Sequence, residues 1–232
     1  MKTLDLRTQY RALYQPSARL PELVEVPELL FLVVDGRIDE GDTPDTSAAF
    51  RAALQALYGA AYTLKFMSKL RKTRAVDYPV MALEAIWWVE SGTFDIGQPG
   101  KWCWRAMIMQ PEHIDERMLN EAIGKMRKKR PSPALDAVRL ERYREGLSVQ
   151  MMHVGPYATE AATVARMRAF CDEHGLVERH ARIRRRGRLE VFDHHEIYLG
   201  DPRRAAPETL KTVLRQPVIR KHARAAGTGR TR

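Results

Sequence analysis

Glu196 is the residue whose surroundings best fit acid–base chemistry. It lies in the segment HHEIYL, on the strand face shared by His194 and Tyr198 and opposite to His195, because alternate residues of a strand point the same way. Apolar residues around it predict partial burial, which raises the pKa of a carboxyl group toward the range of a general base. The alternative is a structural ion pair with an arginine of segment 182–188.

All four tryptophans fall in one predicted hairpin, Trp87 and Trp88 in its first strand and Trp102 and Trp104 in its second. Strand alternation places Glu84 with Trp88 on one face and Trp87 on the other, and puts Trp102 and Trp104 together. This aromatic area is suited to a flat polycyclic ligand. The alternative is that Trp87 and Trp102 are only anchors of the hydrophobic core.

Other catalytic chemistries lack a matching pattern. His194 and His195 point to opposite strand faces and have no third ligand at a suitable spacing, so no metal site is predicted. Cys103 and Cys171 form neither a CxxC pair nor a metal spacing, which predicts free, packed thiols in a reducing compartment. No GxSxG elbow, Walker loop or GxGxxG fingerprint occurs, and we therefore expect a mechanism without a cofactor.

The 232-residue chain carries a formal net charge of +10, concentrated in segments 126–130, 182–188 and 220–232. No zinc-finger spacing, RNP pattern or helix-turn-helix accompanies these charges, so a solvated basic surface is favoured over a specific nucleic-acid partner. Residues 220–232 are expected to form a basic, disordered tail. The absence of a long apolar run or a leader segment predicts no membrane partner and a cytoplasmic location.

The elements that must position these residues repeat the order strand, helix, strands. The predicted elements are a strand at 28–34, a helix from 45 or 46 to about 72–74, strands at 78–89 and 101–109, a basic helix at 115–129, a strand at 146–154, a helix capped by Gly175, a strand at 191–199 and a short helix at about 206–214. This order predicts an α+β fold of two pseudo-symmetric β-α-β-β modules, about 28–110 and about 146–218, around a central ligand cleft. A connector at about 111–145 joins them within a single domain, 1–219.

Four motifs, in this order and spacing, resemble those of a known family. They are ALEAIWW at 82–88, WCWRAMIMQP at 102–111, EGLSVQMMHVGPYATE at 145–160 and HHEIYLGDPRR at 194–204. Over residues 20–218 the chain resembles the GyrI-like small-molecule-binding domains, and within them the branch of cyclopropanoid cyclopropyl hydrolases. The branch pattern PLEGxWW is changed here, since Ala82 replaces the proline and Ala85 the glycine.

The resemblance implies an SHS2-type duplication around a cleft, with Glu196 facing the bound molecule. In the hydrolase branch Glu196 would direct water onto the cyclopropane of a drug stacked between Trp88, Trp104 and Tyr157, while Tyr157 or Tyr198 would bind the developing phenolate. The expected ligand-binding residues are Glu84, Trp87, Trp88, Trp102, Trp104, Met151 and His153. No cofactor or metal is implied.

Two alternatives without catalysis remain. A drug sensor or sequestering module would bind cationic aromatic molecules through the same glutamate. A protein-binding module of the gyrase-inhibitor type fits the charged surface but does not explain the tryptophan-rich hairpin. The expected partners are therefore aromatic small molecules, either DNA-alkylating or cationic, and the oligomeric state is left open.

Overall fold

The computed structural model describes residues 2–96, 101–185 and 188–221. Its strands are β1 (Lys2–Thr3), β2 (Glu22–Arg37), β3 (Val76–Asp77), β4 (Leu83–Val89), β5 (Trp102–Gln110), β6 (Arg139–Val154), β7 (Leu176–Glu178), β8 (Ala181–Arg185), β9 (Arg188–Phe192), β10 (His194–Tyr198) and β11 (Lys211–Arg220). Its helices are α1 (Leu6–Gln9), α2 (Arg11–Tyr14), α3 (Ala48–Lys69), α4 (Glu116–Lys129) and α5 (Glu160–Glu173).

Six antiparallel strands form a closed ring. Their order is β10, β4, β5, β2, β6 and β11, and β10 pairs with β11 to close it. Strand β7 adds to the far end of β11, while β8 with β9 and β1 with β3 form separate pairs. Closure gives the sheet an enclosed face and an outer face, and it removes the free edges of these six strands.

Strand β2 shows why the sequence run ELLFLVV has no polar alternation. Residues 29–34 are all buried, because one face of β2 lies inside the ring and the other is covered by helix α3. The strand extends beyond the predicted 28–34 to Glu22–Arg37, since its more polar ends pair with β6 and β5.

Helices α3 and α4 lie together on the outer face. Helix α3 begins after Ser47, whose side chain accepts a hydrogen bond from the amide of Phe50, rather than at Asp45 or Thr46. It buries a small-residue and leucine stripe that includes Ala60, Leu57 and Leu64. Helix α4 spans Glu116–Lys129 after an Asp115 cap, as its sequence predicts.

The helix predicted at 206–214 is wrong. Only Pro207–Thr209 form a helical turn, and Lys211–Arg220 are strand β11, inserted between β6 and β10. Its Thr212, Val213 and Val218 are β-branched residues that suit a strand buried on both faces. The single strand predicted at 191–199 is likewise interrupted at Asp193, which separates β9 from β10.

The architecture is a mixed fold of helices and strands. Neighbouring strands β4, β5 and β2 come from the first half of the chain, and β10, β11 and β6 come from the second. Duplication of one module and the single domain 1–219 remain predictions. Of the predicted tail, Arg220 belongs to β11, and residues 222–232 lie outside the described residues.

Two smaller observations concern burial and helix length. Cys103 and Cys171 are buried free thiols. Within the described ranges, no helix is long and apolar enough to cross a membrane.

Candidate functional site

Strand β10 places Glu196 near the middle of the outer face of the ring. Glu196 lies opposite Ala85 of β4 and Leu214 of β11, while the neighbouring His194 lies opposite Trp87. Trp87 contacts Phe50 of helix α3, with ring centroids 5.3 Å apart. Because residues opposite one another in an antiparallel pair share a face, Glu196, His194 and Trp87 all point toward the helices.

Both carboxylate oxygens of Glu196 have a side-chain partner. The hydroxyl of Tyr198 donates to Oε2 at 2.6 Å, and Nε2 of His194 lies 3.0 Å from Oε1. The Tyr198 oxygen in turn accepts a hydrogen bond from the indole nitrogen of Trp87 at 3.0 Å. Burial, and then the charge of Glu196, raises the pKa of Tyr198 well above its usual value, so this phenol stays a donor. The chain of contacts fixes the position of a buried carboxylate.

Aromatic rings surround this carboxylate on the side of β4 and β5. Phe94 stacks on His194 at 5.3 Å and contacts Trp102 at 4.9 Å. Trp102 contacts Trp87, and Trp104 meets Phe50 edge to face. On the other side, Tyr157 meets Tyr198 edge to face at 5.8 Å. The site thus combines one fixed carboxylate with aromatic walls.

A second carboxyl group, Glu160, lies at the start of helix α5. It is 1% exposed, forms a hydrogen bond with Thr212, and has one buried oxygen without a hydrogen-bond partner. Thr212 lies between Tyr198 on β10 and His153 on β6, so Glu160 sits over the same row of the sheet. Burial and the nearby charge of Glu196 raise the pKa of Glu160 to about 9, which makes it a neutral acid at pH 7.

His153 and Met151 complete this side of the site. His153 contacts the hydroxyls of Thr163 at 2.9 Å and Thr159 at 3.2 Å, which ties β6 to the start of α5. Met151 lies opposite Leu214 and packs in a small hydrophobic cluster with Met167 of α5. Both predicted residues therefore share the face of Glu196, where their described contacts support α5.

The enclosed face holds a separate polar network. His195 lies 3.2 Å from Glu84 and 3.0 Å from Glu145, and Arg215 lies 3.3 Å from Glu145. The hydroxyl of Tyr14 donates to Glu84 at 2.5 Å. Although burial opposes it, the two carboxylates raise the pKa of His195 to about 9. Charges paired in this way offset part of the cost of burying them.

This placement separates two predicted site residues from Glu196. Glu84 belongs to the enclosed network, and Trp88 lies opposite Cys103 on the enclosed face, whereas Trp104 lies opposite Trp87 on the outer face. A drug sandwiched between Trp88 and Trp104 is therefore excluded by the pleat of the sheet. The remaining predicted residues (Trp87, Trp102, Trp104, Met151, His153, Tyr157 and Tyr198) share the face of Glu196.

The arginine partner considered for Glu196 has other contacts. Arg182 donates to the carbonyl oxygen of Val89 at 2.5 Å and lies 3.8 Å from Asp193. His194 and Tyr198 contact Glu196 instead. Among the described residues, no group of three or more His, Cys, Asp or Glu side chains is placed to hold a metal ion.

Two cavities differ in their relation to this site. A cavity of about 20 Å³, room for about one water molecule, adjoins His194, Phe94 and Asp193. A larger one of about 410 Å³ is lined by Asp35, Arg139 and Glu141, among others, and by none of the predicted site residues. Its carboxylates already pair with arginines, since Asp35 lies 2.7 Å from both Arg105 and Arg139. We therefore assign the candidate site to Glu196.

Three residues of the site were not predicted from the sequence. Phe50 and Phe94 come from a helix and a loop that bear no motif, so their proximity depends on tertiary structure. Glu160 ends the segment GPYATE, at the start of a predicted helix. An acidic residue in a first turn ordinarily stabilises the helix, so the sequence gives it no catalytic role. Its burial against β11 follows from the strand that was predicted as a helix.

Comparison with known proteins identifies relatives in Listeria innocua. A solved structure described as an uncharacterized conserved protein is 42% identical, with a TM-score of 0.80, and the match covers 93% of this chain and 100% of that one. Two proteins named hydrolases are 38% and 40% identical, with TM-scores of 0.76 and 0.77, over 93% and 94% of this chain and 100% of theirs. No protein-family model and no curated protein matches the chain.

These identities extend over the complete length of the relatives, so they reflect common ancestry as well as a common fold. The chain therefore belongs to the family of these three L. innocua proteins, two of which are named hydrolases.

Proposed function

We propose that this protein is a cofactor-free hydrolase that opens the cyclopropane ring of aromatic cyclopropanoid compounds. The observation that carries the proposal is the Glu196 carboxylate, fixed by Tyr198 and His194 beside aromatic walls. The two relatives named hydrolases support an enzymatic role. Ring opening by water would detoxify a compound whose cyclopropane otherwise alkylates DNA.

The proposed reaction adds one water molecule to a spirocyclopropyl dienone. Glu196 takes a proton from the water as its oxygen bonds to the unsubstituted cyclopropyl carbon. The carbon–carbon bond of the ring breaks, and its electron pair moves through the dienone to the oxygen, which becomes a phenolate. The product gains one water after the phenolate takes up a proton. Ring strain favours this step, so positioning of the substrate and a base for the water provide its first requirements.

The two tyrosines receive different roles. The Tyr198 hydroxyl already donates to Glu196, so it serves to orient the base. Tyr157 is the phenol assigned to the developing phenolate. Burial, and then the charges of Glu160 and Glu196, raises the pKa of Tyr157 to about 12, which keeps its proton available for hydrogen bonding at neutral pH.

The aromatic part of the substrate is assigned to the walls on the face of Glu196. Trp87 and Trp102 contact one another, and Phe94 joins them to His194. Trp87 and Phe94 are buried in the hydrophobic core and Trp102 is half-buried, so Trp102 is the ring assigned to stack on the substrate, while Tyr157 lies on the opposite side of Tyr198. Trp88 has no part in this arrangement, because it lies on the enclosed face.

The second candidate function is binding without turnover. A carboxylate beside tryptophan and tyrosine rings also suits cationic aromatic molecules, through charge and cation–π attraction. Such a module would sequester a drug and release it unchanged. Preference for cationic over neutral aromatic ligands, with no chemical change in either, distinguishes it from the hydrolase.

Replacement of the base tests the hydrolase most sharply. Glu196→Gln keeps the shape of the side chain, so we expect ligand binding within about threefold of wild type and turnover lower by about 10²-fold or more. The exposed Glu173 provides the matched control, since Glu173→Gln removes a distant carboxylate. Product is measured by liquid chromatography and mass spectrometry, and binding by tryptophan fluorescence. Full turnover by the folded Glu196→Gln variant would refute the general-base role.

A further inference from the structure

Glu160 is a second carboxyl group in the site. The ring-opening reaction proposed above gives it no role. It is buried at the start of α5, and one of its oxygens lacks any hydrogen-bond partner within the described residues. Burying a polar atom in this state costs free energy, so an acid with one unpartnered oxygen near the proposed catalytic carboxylate calls for an explanation. We propose that Glu160 is the general acid of the reaction, the group that protonates the departing phenolate oxygen.

The position of Glu160 supports a paired role with Glu196. Thr212 holds Glu160 and lies directly opposite Tyr198, the residue that orients Glu196. The two carboxyl groups therefore lie over neighbouring rows of the β10–β11 pair, close enough for the charge of Glu196 to act on Glu160. Among the described residues, electrostatic interaction with Glu160 is found for the ionisable groups of Glu196, Tyr157 and Tyr198.

The charges around Glu160 favour its protonated form. The first turn of a helix ordinarily stabilises a carboxylate, but burial and the neighbouring Glu196 outweigh that effect here. A carboxyl group held neutral near a second carboxyl group is an arrangement that lets the first act as an acid and the second as a base. Glu196 is fixed as an acceptor by Tyr198, which leaves the acid role to Glu160.

Every proton released in the step is taken up by a named group. Glu196 gains the proton that water loses as the oxygen–carbon bond forms. Glu160 gives its proton to the phenolate oxygen as the cyclopropane bond breaks, so the product leaves as a neutral alcohol and phenol. Transfer of the proton from Glu196 to Glu160 then restores both groups. No oxidant, reductant or metal enters the balance.

This inference rests on the proposed hydrolase function, and the experiment separates the two. Turnover of two spirocyclopropyl dienones, one that yields an ordinary phenol and one that yields an electron-poor, more acidic phenol, is measured between pH 6 and pH 10. The enzymes are wild type, Glu160→Gln, Glu160→Asp and the exposed control Glu173→Gln. Spontaneous ring opening is subtracted at each pH.

We expect Glu160→Gln to lower kcat for the ordinary substrate by about 10²-fold and for the electron-poor substrate by less than tenfold, because an acidic phenol needs less protonation. The fall in wild-type turnover near pH 9 should vanish in Glu160→Gln and persist in Glu160→Asp, which retains an acid. Thermal unfolding shows whether each variant is folded. If Glu160→Gln does not fold, Glu160→Asp decides: preserved pH dependence with the same greater loss on the ordinary substrate supports the general acid.

Three outcomes would overturn the assignment. A folded Glu160→Gln variant with wild-type kcat and pH profile would remove Glu160 from the chemistry while leaving the hydrolase intact. Equal losses on the two substrates in Glu160→Gln, or in Glu160→Asp where it alone folds, would indicate a structural role only. Inactive wild-type protein would overturn the hydrolase and, with it, this inference.

Discussion

The hydroxyl of Tyr198 joins two parts of the candidate site. It donates to Glu196 at 2.6 Å and accepts from the indole nitrogen of Trp87 at 3.0 Å. Removal of this one oxygen leaves the ring in place, yet it frees the base to move and leaves a buried indole N–H without an acceptor. The residue therefore distinguishes orientation of the base from simple packing.

We predict that Tyr198→Phe lowers turnover by about tenfold or more and lowers the free energy of unfolding by about 1–3 kcal/mol, since two partly buried hydrogen bonds are lost. Ligand binding should change little, because the aromatic surface remains. The matched control is Tyr62→Phe, at an exposed position of α3. Unchanged turnover in a folded Tyr198→Phe protein would show that Glu196 does not need this hydroxyl.

At this scale the sequence predicted the site in part. Strand alternation correctly grouped Glu196, His194 and Tyr198, because that period is a local property of the chain. It could not decide the register of β4 against β5, and so Trp88 was expected beside Trp104, whereas Trp87 lies opposite Trp104. Pairing between distant strands, which depends on their register, decides that question.

At the scale of elements, the close approach of β2 and β5 depends on a glycine. A Cβ atom added at Gly36 would lie 2.1 Å from the indole ring of Trp104. Gly36 is directly opposite Trp104 in the pair, so the ring lies across its backbone. The position of the Trp104 ring therefore depends on the absence of a side chain at residue 36.

We expect Gly36→Ala to displace the Trp104 ring and to lower the free energy of unfolding by about 1–3 kcal/mol, the usual cost of overpacking. Gly124→Ala in α4 is the matched control, since nothing lies within 4 Å of its added Cβ and alanine favours a helix over glycine. Chemical denaturation followed by tryptophan fluorescence compares them. Equal stability of Gly36→Ala and wild type would contradict the tight contact.

The elements themselves were predicted where their residues carry a strong local signal. Helix α4 and the hairpin of β4 and β5 follow from spacing, although the first strand begins at Leu83 and not at residue 78. Strand β11 was missed, because LKTVLR fits a helical period as well as a strand, and only pairing with β6 and β10 decides in favour of the strand. The closed ring could not be predicted without it.

At the scale of the whole molecule, the enclosed network joins the N-terminal segment to four strands. Arg215 donates to the carbonyl of Leu13 at 2.6 Å, and Tyr14 reaches Glu84 on β4. His195 of β10 lies between Glu84 and Glu145 of β6. The charge on His195 therefore contributes to the stability of the fold.

The pKa of His195, raised to about 9 from 6.5, fixes the direction of a pH effect. The folded protein holds this proton more tightly, so the contribution is complete below pH 6.5 and is lost as pH rises to 9. We predict that the free energy of unfolding falls more steeply over this range for the His180→Gln protein than for the His180→Gln/His195→Gln protein, by roughly 1–3 kcal/mol in total. His180, whose pKa is also raised to about 9, is replaced by Gln in both proteins. The free energy of unfolding of both proteins is measured by urea denaturation at pH 6, 7.5 and 9. An equal change with pH in the two proteins would contradict the prediction.

The most direct test of the account is incubation of the purified protein with a spirocyclopropyl dienone of the duocarmycin type, with the compound followed by liquid chromatography and mass spectrometry. We predict catalytic conversion to a product heavier by one water, and we predict that Glu196→Gln abolishes most of this conversion while still binding the compound. Recovery of unchanged compound from a stoichiometric complex with the wild-type protein would contradict the hydrolase and leave a binding module in its place.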